Sequence, residues 1–156
     1  YFADEGLVLG LEPGRALADQ TAISIFRVSR VKALSSDTSV IFVEGSSLSA
    51  CETWFASEFL VDPILVPATP PSAMSKPVRG YLAGHSCLDE DVVCNRWLTF
   101  PVAPRAGDLL VYANTGGYQM DLLENEFHRH PMPSRLCVVR DAHGQPALVP
   151  DTIGEA

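Results

Sequence analysis

Two short segments of this sequence carry residue types that can take part in chemistry. The first, Glu12-Pro13-Gly14-Arg15, places a carboxylate and a guanidinium on either side of a predicted turn. Taken alone, such a pair indicates a solvated ion pair at the end of a strand. The second segment carries a thiol, Cys87, followed by the acidic run Asp89-Glu90-Asp91. A thiol can serve as a general acid, whereas a free cysteine more often packs as a small buried hydrophobe and an acidic run usually lies in a solvated loop.

The histidines do not complete a predicted metal site. His128 and His130 are two residues apart, so on a strand they would face the same way, and His85 lies far from them in the sequence. No further ligand follows at the spacing of known zinc sites. We therefore predict solvated or interface histidines and no metal.

The four cysteines, Cys51, Cys87, Cys94 and Cys137, form no CxxC pair. This spacing excludes a zinc ribbon and a thioredoxin-type motif. We predict reduced thiols in a cytoplasmic protein, with a Cys87–Cys94 disulfide as the alternative.

Composition and charge limit the classes of partner. The chain has 156 residues, 47% hydrophobic and 19% charged, which is enough apolar material for one globular domain. Its formal net charge of −8 repels phosphate backbones and anionic lipid headgroups, so nucleic acid and membrane surfaces are not predicted partners. No apolar run approaches the roughly 18 residues of a membrane span, and the first residues lack the features of a signal peptide.

A series of short predicted strands must position the reactive groups. Residues 7–11 are continuously apolar, the pattern of a strand buried on both faces, and they hint at neighbours upstream of the sequence. Residues 16–20 predict one helical turn and residues 49–60 a helix with one apolar face. Residues 145–156 become increasingly loop-like after Val149. The other predicted strands are residues 21–34, 39–44, 64–66, 78–84, 97–102, 108–113 and 135–140.

Many short strands with few helices predict a mainly β fold, a Greek-key-like β-barrel or sandwich of about eight strands with one or two short helices.

Four segments carry motifs in a fixed order along almost the whole chain. They are Glu12-Pro13-Gly14-Arg15; Gly84-His85-Ser86-Cys87-Leu88-Asp89-Glu90-Asp91; Ala106-Gly107-Asp108-Leu109-Leu110-Val111-Tyr112 with Thr115-Gly116-Gly117-Tyr118; and Phe127-His128-Arg129-His130-Pro131-Met132-Pro133. In this order they resemble the ornithine/diaminopimelate/arginine decarboxylases, which are pyridoxal-phosphate-dependent enzymes of fold type III.

The resemblance implies a role for each motif residue. Glu12 would keep the pyridine nitrogen of pyridoxal 5'-phosphate protonated, and Gly14 and Arg15 would bind its phosphate. Tyr118 would add a hydroxyl donor to the same phosphate. Cys87 would reach into the active site of the neighbouring subunit of a homodimer and act there as a general acid.

The sequence departs from the family pattern where the substrate is held. Leu88 occupies the position of the acidic residue that binds the distal amine of the family's amino-acid substrates. Asp89, Glu90 or Asp91 would have to replace it, and Asp89 and Asp91 are the predicted substrate-binding residues. A basic diamino acid is therefore not assured as the substrate.

Two further departures concern a histidine and the lysines. His128 replaces an asparagine of the family motif. The two lysines, Lys32 and Lys76, do not match the context of the family's cofactor-anchoring lysine, which lies on the first strand of a barrel.

The resemblance thus implies a division of the chain and an activity. Residues 1–15 would be the remnant of the last strand of a (β/α)8 barrel, and residues 16–156 the C-terminal β-barrel domain. The chain would be the C-terminal part of an amino-acid decarboxylase and not active alone. The alternatives are a racemase or other non-decarboxylating relative, and a β-barrel binding module without cofactor.

Overall fold

The computed structural model describes residues 5–18, 20–47, 62–71, 76–116 and 132–152. Within these ranges it contains a single-turn helix and eight strands. The helix is α1 (Arg15–Ala18), and the strands are β1 (Ser24–Ala33), β2 (Thr38–Val43), β3 (Ile64–Val66), β4 (Val78–Ala83), β5 (Val92–Phe100), β6 (Leu109–Tyr112), β7 (Leu136–Arg140) and β8 (Pro146–Pro150).

Six strands form one sheet in the order β3-β6-β1-β2-β4-β5, and β7 and β8 form a separate antiparallel pair. Neighbouring strands of the large sheet are antiparallel except for β2 and β4, which are parallel. A parallel pair needs a crossover connection rather than a tight hairpin. Here the crossover between β2 and β4 contains β3, which pairs with β6 on the far side of β1.

Strand β1 joins the two halves of the sheet. Its first residues pair with β6, from Ser24 opposite Tyr112, and its later residues pair with β2. The register with β2 shifts between Val28 and Arg30, so Ser29 is an extra residue on β1. Such a bulge bends a strand and increases its twist, and it also reverses which side chains face inward. Accordingly Val28 is buried before the bulge and Arg30 is exposed after it.

The core lies on one face of the six-stranded sheet. Strand β2 alternates half-buried and buried residues, the period-2 pattern of a strand that covers a core. The rings of Phe26 on β1 and Tyr112 on β6 meet edge to face with their centroids 6.0 Å apart. The buried cluster consists of Phe26, Val28, Ile41, Val43, Leu82, Val93, Cys94, Leu98, Phe100, Leu110 and Tyr112.

The predicted mainly β fold of about eight strands is confirmed. The helical turn and the strands at residues 21–34, 39–44, 64–66, 78–84, 108–113 and 135–140 agree with the structure to within a few residues, while β5 begins five residues before the predicted 97–102. The helix predicted at residues 49–60 lies outside the described residues.

One prediction was wrong. Residues 7–11 are neither in a strand nor buried, because no described strand of this chain pairs with them, and Val8 is 96% exposed. Strand β8 was not predicted, although it ends close to Val149, after which a loop was expected. Its two prolines hid the strand, but a proline is compatible with the edge of a two-stranded ladder.

We predict that Ile41→Val lowers the free energy of unfolding by about 0.5–1.5 kcal/mol, because it removes a buried methylene from a close-packed core. Ile41 has no exposed surface, whereas Ile64 on β3 is 60% exposed. The same deletion at Ile64 is therefore the matched control, with an expected change within about 0.5 kcal/mol. Urea unfolding of the two variants measures both values, and equal losses would contradict the assignment of the core.

Candidate functional site

The strand directions bring four chain segments to one end of the large sheet. Strands β2 and β6 run antiparallel to β1, and β4 runs parallel to β2. The N-terminal end of β1 therefore lies at the same end of the sheet as the C-terminal ends of β2, β4 and β6. We refer to this end, with α1 and residues 44–47, 84–91 and 113–116, as the loop end.

The Glu12-Pro13-Gly14-Arg15 segment turns sharply into α1. Gly14 has φ +38°, a left-handed conformation that favours glycine. The N–H of Ala16 donates to the carbonyl of Pro13 at 2.9 Å, and that of Leu17 to the carbonyl of Gly14 at 3.1 Å. Glu12 is exposed before this turn. Arg15 is the first residue of α1, and its side chain lies outside the described part of the structure.

The segment after β6 is held against the end of α1. The N–H of Thr115 donates to the carbonyl of Ala22 at 2.9 Å, and the hydroxyls of Thr115 and Ser24 lie 3.0 Å apart. A Cβ atom at Gly116 would come within 2.3 Å of the carbonyl oxygen of Ala18, so only glycine allows this approach. The helix that begins in the first motif segment therefore ends against the third motif segment. Tyr118, two residues further along, lies outside the described residues.

Asp91 anchors the loop that carries Cys87. Its carboxylate is 3% exposed, and Oδ1 accepts hydrogen bonds from the hydroxyl of Ser46 (3.1 Å) and from the N–H (2.8 Å) and hydroxyl (3.0 Å) of Ser47. Oδ2 accepts the N–H of Ser86 at 2.9 Å. One buried carboxylate thus joins residues 44–47 to both ends of the loop formed by residues 84–91.

Backbone contacts tighten the same loop. A Cβ atom at Gly84 would lie 2.2 Å from the carboxylate oxygens of Asp91, so any larger residue would displace the anchor. His85 and Gly45 form a reciprocal pair: the N–H of His85 donates to the carbonyl of Gly45 at 3.0 Å, and the N–H of Gly45 donates to Nδ1 of His85 at 2.9 Å. The residues immediately before Cys87 are therefore fixed to the turn after β2.

Electrostatics favour the ionised form of this anchor. Burial raises the pKa of the Asp91 carboxyl, but hydrogen bonds from Ser86 and Ser47 outweigh burial and hold the pKa below its ordinary value. A folded-state pKa below the unfolded value means that Asp91 adds stability above about pH 4, and that this contribution is lost as the pH falls.

The loop formed by residues 84–91 exposes several side chains to solvent, in contrast to the buried Asp91. Cys87, Leu88, Asp89 and Glu90 are all exposed. Asp91, by contrast, has both oxygens engaged inside the fold and offers no surface to a substrate amine. This geometry does not favour the predicted substrate-binding role of Asp91, whereas Asp89, the other predicted carboxylate, is exposed.

The described cysteines differ in environment. Cys87 is exposed, Cys137 is half-buried, Cys94 is buried in the core, and all three are thiols rather than disulfides. Burial raises the pKa of the Cys94 thiol, and the nearby Arg96 offsets part of that rise. A raised pKa and a buried position make Cys94 the less reactive thiol toward an external reagent.

A second buried carboxylate anchors the turn before β6. Asp108, in the third motif segment, accepts the N–H of Ala68 at 2.9 Å through Oδ1 and the N–H of Arg105 at 2.8 Å through Oδ2. Its own carbonyl accepts the N–H of Val28 at 2.8 Å, which ties the turn to β1. The aspartate of this motif thus has a structural function in positioning β6.

Sequence reasoning missed Ser46 and Ser47, the partners of Asp91. They lie 45 and 44 residues from it and look like ordinary turn residues after a strand. Gly45 beside them indicates a turn, but nothing in the sequence indicates that this turn binds the carboxylate of Asp91.

The described ranges contain neither a membrane-spanning helix nor a cluster of metal ligands. No helix among them is long and apolar enough to cross a membrane. No group of three or more histidine, cysteine, aspartate or glutamate side chains in those ranges could hold a metal ion. His128 and His130 lie outside the described residues.

Sequence comparison finds a long relative. No family model matches the chain. The chain is 79% identical over 155 residues to the uncharacterized protein y4yA of Sinorhizobium fredii, and the match covers 99% of this chain and 34% of that protein. The chain therefore spans about a third of the length of the curated relative it matches.

Solved structures with the same fold are decarboxylases. Carboxynorspermidine decarboxylase from Campylobacter jejuni, complexed with norspermidine, matches 96% of this chain and 41% of its own, with TM-score 0.67 and 17% identity. A diaminopimelate decarboxylase matches 91% of this chain and 34% of its own (TM-score 0.65, 22% identity). The arginine decarboxylase of Paramecium bursaria Chlorella virus, bound to agmatine, matches 71% of this chain and 29% of its own (TM-score 0.60, 20% identity). At these identities the likeness establishes the fold, which forms a part of each decarboxylase chain.

We predict that Asp91→Asn lowers the free energy of unfolding by about 1–3 kcal/mol at pH 7, because it places an amide N–H group against the N–H of Ser86. It should also flatten the loss of stability between about pH 5 and pH 3, since the titrating group is gone. Urea unfolding over this pH range measures both effects.

Glu90→Gln removes the same charge from an exposed neighbour and is the control. Its expected change is within about 0.5 kcal/mol at pH 7. A result in which the two variants behave alike would overturn the role of Asp91 as the anchor.

Proposed function

We propose that this chain is the C-terminal part of a pyridoxal-phosphate-dependent amino-acid decarboxylase of the cytoplasm. The single observation that carries the proposal is the contact between Ala18 at the end of α1 and Gly116, which places the helix that begins in the first motif segment against the third motif segment. The fold shared with several decarboxylases supports it. The division into residues 1–15 of a barrel and 16–156 of a β-domain belongs to the same proposal.

The residues around α1 suit the cofactor. Glu12 is an exposed carboxylate, Gly14 forms a turn with positive φ, and α1 begins at the basic residue Arg15. A carboxylate is the group that keeps a pyridine nitrogen protonated, and a glycine turn with a guanidinium is a donor set for phosphate. Bound pyridoxal phosphate supplies an electron sink for the loss of carbon dioxide. Glu12 would hold the proton on the pyridine nitrogen, and Gly14, Arg15 and Tyr118 would orient the phosphate.

Cys87 belongs to a separate part of the loop end. The Gly116 contact lies beside β6, and Cys87 follows β4, which is three positions away in the sheet order. Three inter-strand spacings amount to about 14 Å. This separation supports a site shared between two subunits of a homodimer, in which Glu12 serves one site and Cys87 the other. There the Cys87 thiol would donate a proton to the carbon from which carbon dioxide has departed.

The exposed carboxylate of Asp89 is the group of this loop that we propose for substrate contact. Leu88 beside it is also exposed, so the loop presents an apolar side chain at the position of the family's acidic residue and a carboxylate at the next position. This arrangement supports an amino-acid substrate whose distal end differs from that of the basic diamino acids.

The positions of the two lysines support the proposal that the cofactor-anchoring lysine belongs to another part of a longer protein. Lys32 lies eight residues along β1 from Ser24, which is roughly 27 Å from the loop end. Lys76 precedes the first residue of β4, which is also at the opposite end of the sheet. Neither is placed to anchor a cofactor beside Glu12, so we propose that the lysine comes from the rest of a longer protein and that this chain alone is inactive.

We predict that a longer protein, extended to the length of the Sinorhizobium fredii relative, shows a visible absorption band with pyridoxal phosphate and that the 156-residue chain does not. Absorption spectroscopy of the two proteins measures this difference. The absence of a band in both proteins would contradict the cofactor assignment and would favour the binding-module alternative.

In the longer protein, Cys87→Ala should lower the rate of carbon dioxide release by about 10²-fold or more, the usual loss when a general acid is removed. Cys137→Ala, at the half-buried thiol of β7, is the matched control and should change the rate little. Equal rates for Cys87→Ala and Cys137→Ala would contradict the role of Cys87.

Mixing the inactive variants Cys87→Ala and Glu12→Gln tests the shared site. Random subunit exchange in a dimer should restore about one quarter of the wild-type activity, because one site in each mixed dimer has both residues intact. Failure to restore activity would place Glu12 and Cys87 in the same subunit's site.

A further inference from the structure

Two residues with a left-handed backbone conformation meet at the loop end. Gln20, after α1, has φ +59°, and Asn114, after β6, has φ +57°. In the part of the chain that the structure describes, they are the only residues other than glycine with a positive φ. A residue with a Cβ atom adopts this conformation at a cost, so tertiary contacts must hold both turns.

A hydrogen bond joins the two turns. The N–H of Gln20 donates to Oδ1 of Asn114 at 2.5 Å, across 94 residues of sequence. The donor belongs to the backbone, whereas the acceptor belongs to a side chain. Asn114 is therefore the residue of the pair whose identity determines whether the bond forms.

Further contacts surround this hydrogen bond. The N–H and the hydroxyl of Thr21 both donate to the carbonyl of Ala18, at 3.3 and 2.6 Å. Gly116 packs against the same two residues, since a Cβ atom there would come within 2.3 Å of Thr21 Oγ1 and of the Ala18 carbonyl oxygen. We call these contacts, with the bond from Gln20 to Asn114, the clasp. It holds the segment after β6 against the end of α1.

The clasp lies one helical turn from the residues proposed to bind the cofactor phosphate. Helix α1 has four residues, so its axial rise from Arg15 to Ala18 is only about 5 Å. The carbonyl of Gly14 accepts the N–H of Leu17 within this turn at 3.1 Å. A displacement of Ala18 is therefore transmitted to the backbone of Gly14 and Arg15.

We propose that Asn114 is a positioning residue for the cofactor phosphate. Its side-chain acceptor fixes the end of α1 and, through this single turn, the backbone of Gly14 and Arg15. The strength of a hydrogen bond to phosphate depends on the distance and direction of its donor, so a displaced turn binds the phosphate less tightly. This inference rests on the proposed function, because it concerns the same phosphate.

Asn114→Gly and Gln20→Gly form a matched pair of variants. Each places glycine at a position of positive φ, which glycine adopts without strain. Asn114→Gly removes the acceptor, whereas Gln20→Gly retains the backbone N–H and thus the hydrogen bond. Asn114→Asp keeps an acceptor oxygen and should restore most of the affinity. The bond from Thr115 to Ala22 remains in all three variants, so the segment after β6 stays beside the start of β1.

Titration of the longer protein with pyridoxal phosphate, followed by visible absorption, measures the effect. Asn114→Gly should weaken binding about tenfold, the loss of one hydrogen bond, and Gln20→Gly less than about twofold. At saturating cofactor, the phosphorus NMR signal of the bound phosphate should move in Asn114→Gly and keep its wild-type position in Gln20→Gly. A variant that is only less stable would leave this signal in place. Equal affinities and equal signals in the two variants would overturn the inference.

Amide hydrogen exchange in the 156-residue chain separates this inference from the proposed function. The N–H groups of Ala16 and Leu17 close the turn at Gly14, and neither substitution changes a residue next to them. Their exchange should be about tenfold faster in Asn114→Gly than in Gln20→Gly. Equal rates would show that Asn114 does not position α1. A longer wild-type protein that binds no pyridoxal phosphate would contradict the proposed function, and the exchange rates would still decide the role of Asn114 toward α1.

Discussion

The fold depends on the double pairing of β1. A single ten-residue strand forms antiparallel ladders with β6 along its first half and with β2 along its second half. The extra residue at Ser29 lets the strand bend between the two ladders, and apolar side chains of β1 face the core in both halves of the strand. Because α1 precedes this strand, and β2 and β6 end beside its start, the strand also determines which loops share an end of the sheet. The candidate site is thus a consequence of strand pairing before any catalytic group is considered.

Buried carboxylates then fix the loops that the sheet brings together. Asp91 and Asp108 each accept backbone N–H groups from a distant segment, and each lies inside a motif that carries proposed functional residues. Desolvating a carboxylate costs stability unless hydrogen bonds replace its water, and both residues meet that condition. The anchored loops can present Cys87, Leu88 and Asp89 outward because their framework is held from within.

The sequence predicted the strands better than it predicted the partners of the polar groups. Alternation and β-branched residues located β1, β2, β4 and β6, since these strands cover a core on one face. The prediction for residues 7–11 was wrong, because a continuously apolar run indicates a buried strand but does not identify the segment that would cover it. The proline-bounded β8 had no apolar alternation to reveal it.

The roles predicted for the motif residues stay predictions. The structure shows that Glu12, Gly14 and Cys87 are exposed in turns and loops. The inward direction of Asp91 could not be predicted, since it depends on serines far away in the sequence. The exposure of Arg30 was equally hidden, because the bulge that turns this arginine outward is a property of strand register rather than of composition.

The pairing of Ser24 with Tyr112 also has a consequence during synthesis. Roughly 90 residues separate these partners, so at about 5–20 residues per second the first half of β1 waits roughly 4–18 s on the ribosome for β6 to emerge. During that interval its backbone is an open edge that other chains can join. Arg27 lies in this half of β1, is exposed, and supplies a positive charge that discourages such pairing. A charge on the surface of the finished sheet thus also lowers the tendency of the nascent strand to aggregate.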